Sequence, residues 1–284
     1  MSDSVETSTA IIAVCNHKGG CGKTTTVVNL AYEIARTGLS VLIVDLDPQA
    51  NLSLHIGKQH PSEISVTSAE LLLGDVSTLA TAIHEDTYLP GVSLIYGSLN
   101  LDKVEDDLWD VATRPYEELR AKLEPLKGLY DVILLDCRPN IKLLTSNALA
   151  AATHLIIPIE SGSQYSLYGA ADLTKHITKM RTVNPELQLL GVLLTRHDAR
   201  QTACALIATL ATNTFGSVLP VTVGTSAAKI NQAVINQKAI YMQDPKAKIA
   251  KEYRRLARHV ISAIGLASKA DLSGDIDESE TEDV

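Results

Sequence analysis

Short, almost wholly apolar runs recur along this chain at 10–15, 40–45, 92–96, 131–136, 154–159, 189–195 and 217–221. They do not alternate apolar with polar residues, which is how strands buried on both faces read. Between them, apolar positions recur at three- and four-residue spacing over 23–37, 67–73, 113–126, 142–152, 166–182, 199–213, 226–236 and 247–265. That spacing predicts helices, the first ended by Gly38 and the second by Gly74. The alternation predicts an α/β fold, a doubly wound and mostly parallel sheet with helices on both faces. No repeat and no Pro/Ser-rich linker interrupts it. One domain over 10–267 is expected, with a disordered N-terminus over 1–9 and a disordered acidic tail over 268–284.

The turn from the first strand into the first helix carries the most chemistry. Residues 18–26 read Lys-Gly-Gly-Cys-Gly-Lys-Thr-Thr-Thr. A Gly-rich turn between strand and helix is a phosphate-binding loop, since backbone N–H groups can close on phosphate oxygens where no Cβ intervenes. Lys23 would set a charge on the β- and γ-phosphates, and the Thr24 hydroxyl could ligate Mg2+. The common pattern G-x-x-x-x-G-K-[ST] is not met, because its first glycine falls on His17. A second lysine, Lys18, opens the loop instead.

Two later strands end in carboxylates. The second runs into Asp45-Leu46-Asp47-Pro48-Gln49, and the run at 131–136 ends in Asp136, followed by Cys137-Arg138-Pro139. In an open α/β sheet the carboxyl ends of the strands are where ligands sit. Next to a phosphate loop, one carboxylate can hold Mg2+ and another can orient an attacking water.

The two-lysine loop K-G-G-x-G-K-T-T resembles the deviant Walker A motif of the ParA/MinD family of ATPases. The D-x-D-P-Q motif at Asp45, the Asp-ended strand at Asp136 and Asn147-Ala148-Leu149 resemble that family too. So do 191–200 and the closing helix at 244–258, and the resemblance spans about 10–265, best among ParA/Soj-like members lacking an N-terminal helix-turn-helix domain. It implies a P-loop NTPase fold, with ATP and Mg2+ as cofactors. Nucleotide contacts would come from Lys18, Gly19, Gly20, Cys21, Gly22, Lys23, Thr24 and Thr25, with Pro220 near the adenine. Thr24, Asp45 and Asp136 would hold the metal, and Lys18, Lys23 and Asp47 would be catalytic. The family mechanism implies a homodimer that sandwiches nucleotide, each Lys18 reaching across to its partner's ATP. Two places depart from the family's pattern: Arg138 and Asn140 after the third motif, and Val-Thr-Val-Gly-Thr-Ser after Pro220, where relatives carry an Arg-rich segment.

Composition narrows the alternatives. No apolar run reaches 18 residues, so no membrane span is indicated, and the polar, acidic start is unlike a signal peptide. The four cysteines lack C-x-x-C spacing and read as reduced thiols of a cytoplasmic protein. The net charge is −8, but seven acids lie in the last fourteen residues, so the body is close to neutral. Residues 229–258 carry eight bases against two acids.

Lys248, Lys251, Arg255 and Arg258 fall on one helical face. Read alone they are a solvated face. With the resemblance they become a contact to double-stranded DNA through its phosphates, without base readout, joined by Arg196 and Arg200. The implied role is partition of plasmid or chromosome DNA by a nucleoid-associated ATPase that a ParB-like or cargo-adaptor protein stimulates. A carboxysome or chemosensory cluster as cargo is the alternative. A MinD-like membrane cycler would need a basic amphipathic C-terminal helix, which the acidic tail opposes. A cluster-binding ATPase would need a second cysteine loop.

Overall fold

The computed structural model describes residues 9–162, 167 and 170–271. Seven strands form one sheet: β1 (Ala10–Val14), β2 (Val41–Leu46), β3 (Ile83–His84), β4 (Val92–Ile95), β5 (Val132–Cys137), β6 (His154–Glu160) and β7 (Gln188–Thr195). Their spatial order is β3-β4-β2-β5-β1-β6-β7. All pairs are parallel except β3 with β4. Twelve helices surround it among the described residues: α1 (Lys23–Ala35), α2 (Asn51–Ile56), α3 (Ser68–Leu73), α4 (Leu79–Ala82), α5 (Leu101–Val111), α6 (Glu118–Leu123), α7 (Leu143–Ala151), α8 (Ala170–Val183), α9 (Thr202–Phe215), α10 (Ala227–Ile235), α11 (Ile240–Gln243) and α12 (Lys248–Ala263).

Successive strand residues point to opposite faces, so each all-apolar strand feeds two cores. Ile11 and Ala13 of β1, Leu42 and Val44 of β2, and Ile133 and Leu135 of β5 join α3 and α5 to α9 on one face. Ile12, Val14, Val41, Ile43, Val132 and Leu134 join α1, α2 and α10 to α12 on the other. Both faces are dry, which is why neither carries a polar stripe.

The expected strand at 217–221 is instead an irregular segment with a single bridge to Val192. Leu219 N–H donates to Val192 O, but the next bond to that edge, at Leu194 O, comes from Val223 N–H and not from Val221. Pro220 lies in the gap, lacking an N–H and fixing its φ, and the ladder loops out there. The helix expected over 113–126 begins only at Glu118, after a turn containing Pro115, and closes in a 3-10 turn containing Pro125. α5 was not expected: its stripe of Leu101, Val104 and Leu108 is hidden among five acids. At the ends, Thr9 is buried and donates to Tyr130 O, and Lys269 pairs with Asp131. The packed chain therefore includes Thr9 and 268–271, beyond the boundaries expected; 1–8 and 272–284, like part of the expected 166–182 helix, lie outside the described residues.

Candidate nucleotide site

β5 lies between β1 and β2. This places three chemistry-bearing strand ends side by side: the loop after β1, Asp136 on β5 and Asp45 on β2. Asp136 is in register with both Val14 and Asp45. The topology alone brings Thr24 beside Asp136, 112 positions away along the chain.

The loop closes tightly over the start of α1. Gly20 and Gly22 adopt left-handed backbone, φ 73° and 89°, which a side chain would strain. Lys23 Nζ donates to Lys18 O at 2.9 Å, and the buried Cys21 thiol donates to the same oxygen at 3.2 Å. Thr195, at the end of β7, donates its hydroxyl to Cys21 O at 2.9 Å. Asn16 straps the loop to β6 by donating to Pro158 O at 2.6 Å, while its side-chain oxygen accepts from Lys18 N–H at 3.1 Å.

A cavity of about 420 Å³ opens above the loop. Gly19, Gly20, Gly22, Lys23, Thr24 and Thr25 form its floor, and Asp47 and Gln49 form one side. The opposite wall is Thr195, Arg196 and 223–227, with Asn231 and Tyr253. Glu252 of α12 holds that wall by accepting from Gly224 N–H at 2.8 Å. Three expected contacts fall outside the lining: Pro220 is exposed and its place is taken by 223–227, the Cys21 side chain is buried against Lys18 O, and Lys18 turns away to Glu160, 3.3 Å off.

The residues fit a divalent cation. Thr24 donates its hydroxyl to Asp136 Oδ2 at 2.8 Å, and the buried Oδ1 of the same carboxylate has no hydrogen-bond partner. A half-satisfied buried carboxylate beside a hydroxyl suits a hard cation with oxygen ligands. Asp45 is differently employed: Oδ1 accepts from Asp47 N–H, and Oδ2 accepts from Ser53 N–H and its hydroxyl. Its carboxylate shapes the Asp47 turn and anchors α2 from beneath, with Oδ2 accepting two hydrogen bonds and Oδ1 one. Asp47 Oδ1 accepts from Gln49 N–H at 3.0 Å, which fixes the side chain at the cavity rim.

Burial pushes the Asp45 carboxyl up to about 6, and burial together with the neighbouring Asp45 charge raises Asp136 as well. From the ordinary 3.8 to about 6, Asp45 keeps its proton in the folded chain and loses it in the unfolded one. Its contribution to stability is therefore complete below 3.8 and is lost as pH rises through about 6, at most about 3 kcal/mol. Urea unfolding at about pH 4 and about pH 7 should show a smaller loss on that rise for Asp45→Asn than for the unaltered chain.

Arg138, the departure after β5, is pinned to α5: its guanidinium meets Asp102 at 3.0 Å and Glu105 at 3.5 Å. Arg138, Asp102 and Asp47 line one small cavity of about 250 Å³ beside the nucleotide cavity. Of the expected DNA contacts, Arg196 pairs with Glu160 at 3.0 Å and Arg200 with Asp198 at 2.9 Å. Lys248 and Arg255 are exposed, and Lys251 and Arg258 half-buried, along the outer side of α12. That same helix supplies Tyr253 to the nucleotide wall.

Fold and loop together define a P-loop nucleotide-binding protein. A family model described as an AAA domain matches residues 9–189. The chromosome partitioning protein ParA of Caulobacter vibrioides (strain NA1000 / CB15N) is 33% identical over 255 residues, 89% of this chain and 94% of that protein. The sporulation initiation inhibitor protein Soj of Bacillus subtilis (strain 168) is 33% identical over 251 residues, 88% and 97% of the two chains. Among solved structures, a cobyrinic acid a,c-diamide synthase from Mycobacterium smegmatis with bound ATP analog and magnesium is 31% identical, with TM-score 0.77 over 90% of this chain and 97% of that one. MinD of Pyrococcus horikoshii OT3 complexed with Mg-ADP is 25% identical, with TM-score 0.74 over 92% and 99%. This chain belongs to the ParA/MinD family of P-loop ATPases.

Proposed function

We propose that the chain is a Mg2+-dependent ATPase whose site is completed by a second copy, and that the ATP-bound dimer binds duplex DNA to segregate or position plasmid or chromosomal DNA. One observation carries this reading. A single cavity gathers the phosphate loop with Thr24 and Asp47, and the buried Asp136 backs it through its bond to Thr24, yet Lys18 is not on its wall. The site has a nucleotide floor, a place for a metal and a water-orienting carboxylate; of the two loop lysines only Lys23 lines it, and the cation on the facing wall, Arg196, is paired with Glu160.

Lys23 would leave Lys18 O for the β- and γ-phosphates, and the loop N–H groups would take the remaining oxygens. Mg2+, held by Thr24 and Asp136, would supply neutralisation of the phosphate charge. Asp47, fixed at the rim by Gln49, would accept a hydrogen bond from the attacking water and orient it. Lys18 of one copy would meet the developing charge on its partner's nucleotide, as an arginine finger does in trans. Two relatives, ParA of Caulobacter vibrioides and ParA of Myxococcus xanthus (strain DK1622), are chromosome partitioning proteins by name, which favours DNA over a protein assembly as cargo. A ParB-like partner would stimulate turnover and end the cycle. Against a membrane-cycling role, α12 buries its apolar side against the core through Ile249, Tyr253, Leu256 and Val260. No helix among the described residues is long and apolar enough to cross a membrane.

The DNA reading is tested by gel shift with random-sequence duplex. Retardation should require ATP and fall steeply with salt, as counterion release dictates. Charge reversal at Arg255 and Arg258 should weaken it at least about tenfold, since each reversed residue removes one phosphate contact and adds a repulsion. Unchanged retardation would move the DNA surface off α12.

A further inference from the structure

Lys18, the cation sent across the dimer by the reading above, is already engaged within its own subunit. Its Nζ sits 3.3 Å from Glu160 Oε2 at the end of β6. The other oxygen of that carboxylate meets Arg196 Nη1 at 3.0 Å, and Arg196 lines the nucleotide cavity. One carboxylate therefore ties the loop lysine to an arginine on the nucleotide wall.

The backbone around this contact is fixed independently of it. Glu160 is in register with Thr195, Ser161 N–H donates to Thr195 O, and Thr195 reaches Cys21 O in the loop. Asn16 straps the loop to β6 just before Lys18. Arg196 stands in left-handed backbone, φ 49°, as the chain leaves β7. Few non-glycine residues accept that conformation, and it persists only where the surroundings enforce it. With these hydrogen bonds in place, the ion pair is not needed to hold the three strand ends together. The two side chains remain 28% and 21% exposed, and a pair so placed contributes little to folding. What it does control is where the Lys18 charge resides.

We propose that Glu160 is a resting-state anchor for Lys18, retaining the lysine in its own subunit until a partner's nucleotide competes for it. Arg196 shares the carboxylate and faces the cavity, so phosphate bound there draws Arg196 off and changes the charge that Lys18 must leave. The anchor thereby makes release of Lys18 depend on nucleotide in its own cavity as well as on the partner's. Binding can shift the equilibrium only by its differential affinity for the anchored and released states, and here that difference is electrostatic. Glu160 is thus a positioning residue: it acts on the chemistry through Lys18. The inference rests on the sandwich-dimer reading.

Glu160→Gln keeps the side chain's shape and removes its charge. The ATP concentration for half-maximal dimerisation, read by sedimentation velocity, should fall about two- to fivefold, the range of a part-exposed ion pair. Basal turnover should rise by a similar factor, with the thermal midpoint unchanged. Glu160→Asp, which retracts the carboxylate, should act in the same direction by less and serves if the first variant folds poorly. In a Lys18→Ala background, Glu160→Gln should no longer alter dimerisation. Unchanged or reduced dimerisation and turnover in both Glu160 variants would overturn the anchor. The two readings fail separately: full hydrolysis by Lys18→Ala alone would remove the trans-lysine mechanism, whereas inactive Lys18→Ala beside unaltered Glu160→Gln would remove the anchor only.

Discussion

Lys18→Ala should give a folded, nucleotide-binding protein that no longer hydrolyses ATP. The loop does not depend on this side chain: Lys18 contributes its N–H to Asn16 and its carbonyl to Lys23, and alanine supplies both. The lost contact to Glu160 is part-exposed and of small structural value. The side chain also stands off its own cavity wall, so ATP affinity of the isolated subunit should hardly change. A cation delivered in trans to transferring phosphate is worth about a thousandfold or more in rate. Phosphate release should therefore drop to background while a fluorescent ATP analogue still binds. Loss of nucleotide binding along with hydrolysis would instead place Lys18 with Lys23, in its own subunit's site.

Asp47→Ala should separate binding from turnover in a different way. Asp47 stands at the cavity rim, positioned from below by Asp45, and its side chain accepts from Gln49 N–H. Removing it deletes the group that orients water and leaves floor, Lys23 and the Thr24–Asp136 pair intact. Turnover should fall about a hundred- to ten-thousandfold, the usual worth of a positioned acid–base group. The ATP-bound dimer should then accumulate, doubling the mass seen by light scattering at saturating ATP and fading in ADP. A variant that stays monomeric at saturating ATP would show that Asp47 assembles the dimer and does not spend it.

Much of this was legible before the structure because it is local. All-apolar strands, the loop between β1 and α1 and the Asp-ended strands each announce themselves within a few residues, and a parallel sheet can gather them only at its carboxyl ends. The acids of α5 mask its apolar stripe, so spacing reveals neither the helix nor the partners that hold Arg138. Pro220 matches a family position, while the wall itself is built by 223–227, reached through a loop-out that the proline forces. Glu160 carries no motif, and the stretches that hold Thr195 and Gly224 do not mark these two as contacts of the loop and of α12. They matter because β6, β7 and α12 end beside the loop, a fact of topology that no short window of sequence contains. Asp45 is the reverse case: its motif was plain, but only the hydrogen bonds to Ser53 and Asp47 show that it supports the site from beneath.

The central claim is that each site borrows Lys18 from its partner, and mixing two inactive proteins tests it most directly. Lys18→Ala retains Asp47, and Asp47→Ala retains Lys18. Combined as monomers before ATP is added, they form mixed dimers in which the nucleotide on the Lys18→Ala subunit meets its own Asp47 and its partner's Lys18. Half of the dimers at equal mixing are mixed and each has one complete site, so turnover should recover to about a quarter of the unaltered protein's, as two-fold symmetry requires. A mixture as inactive as its two components would contradict the account and return Lys18 to its own subunit.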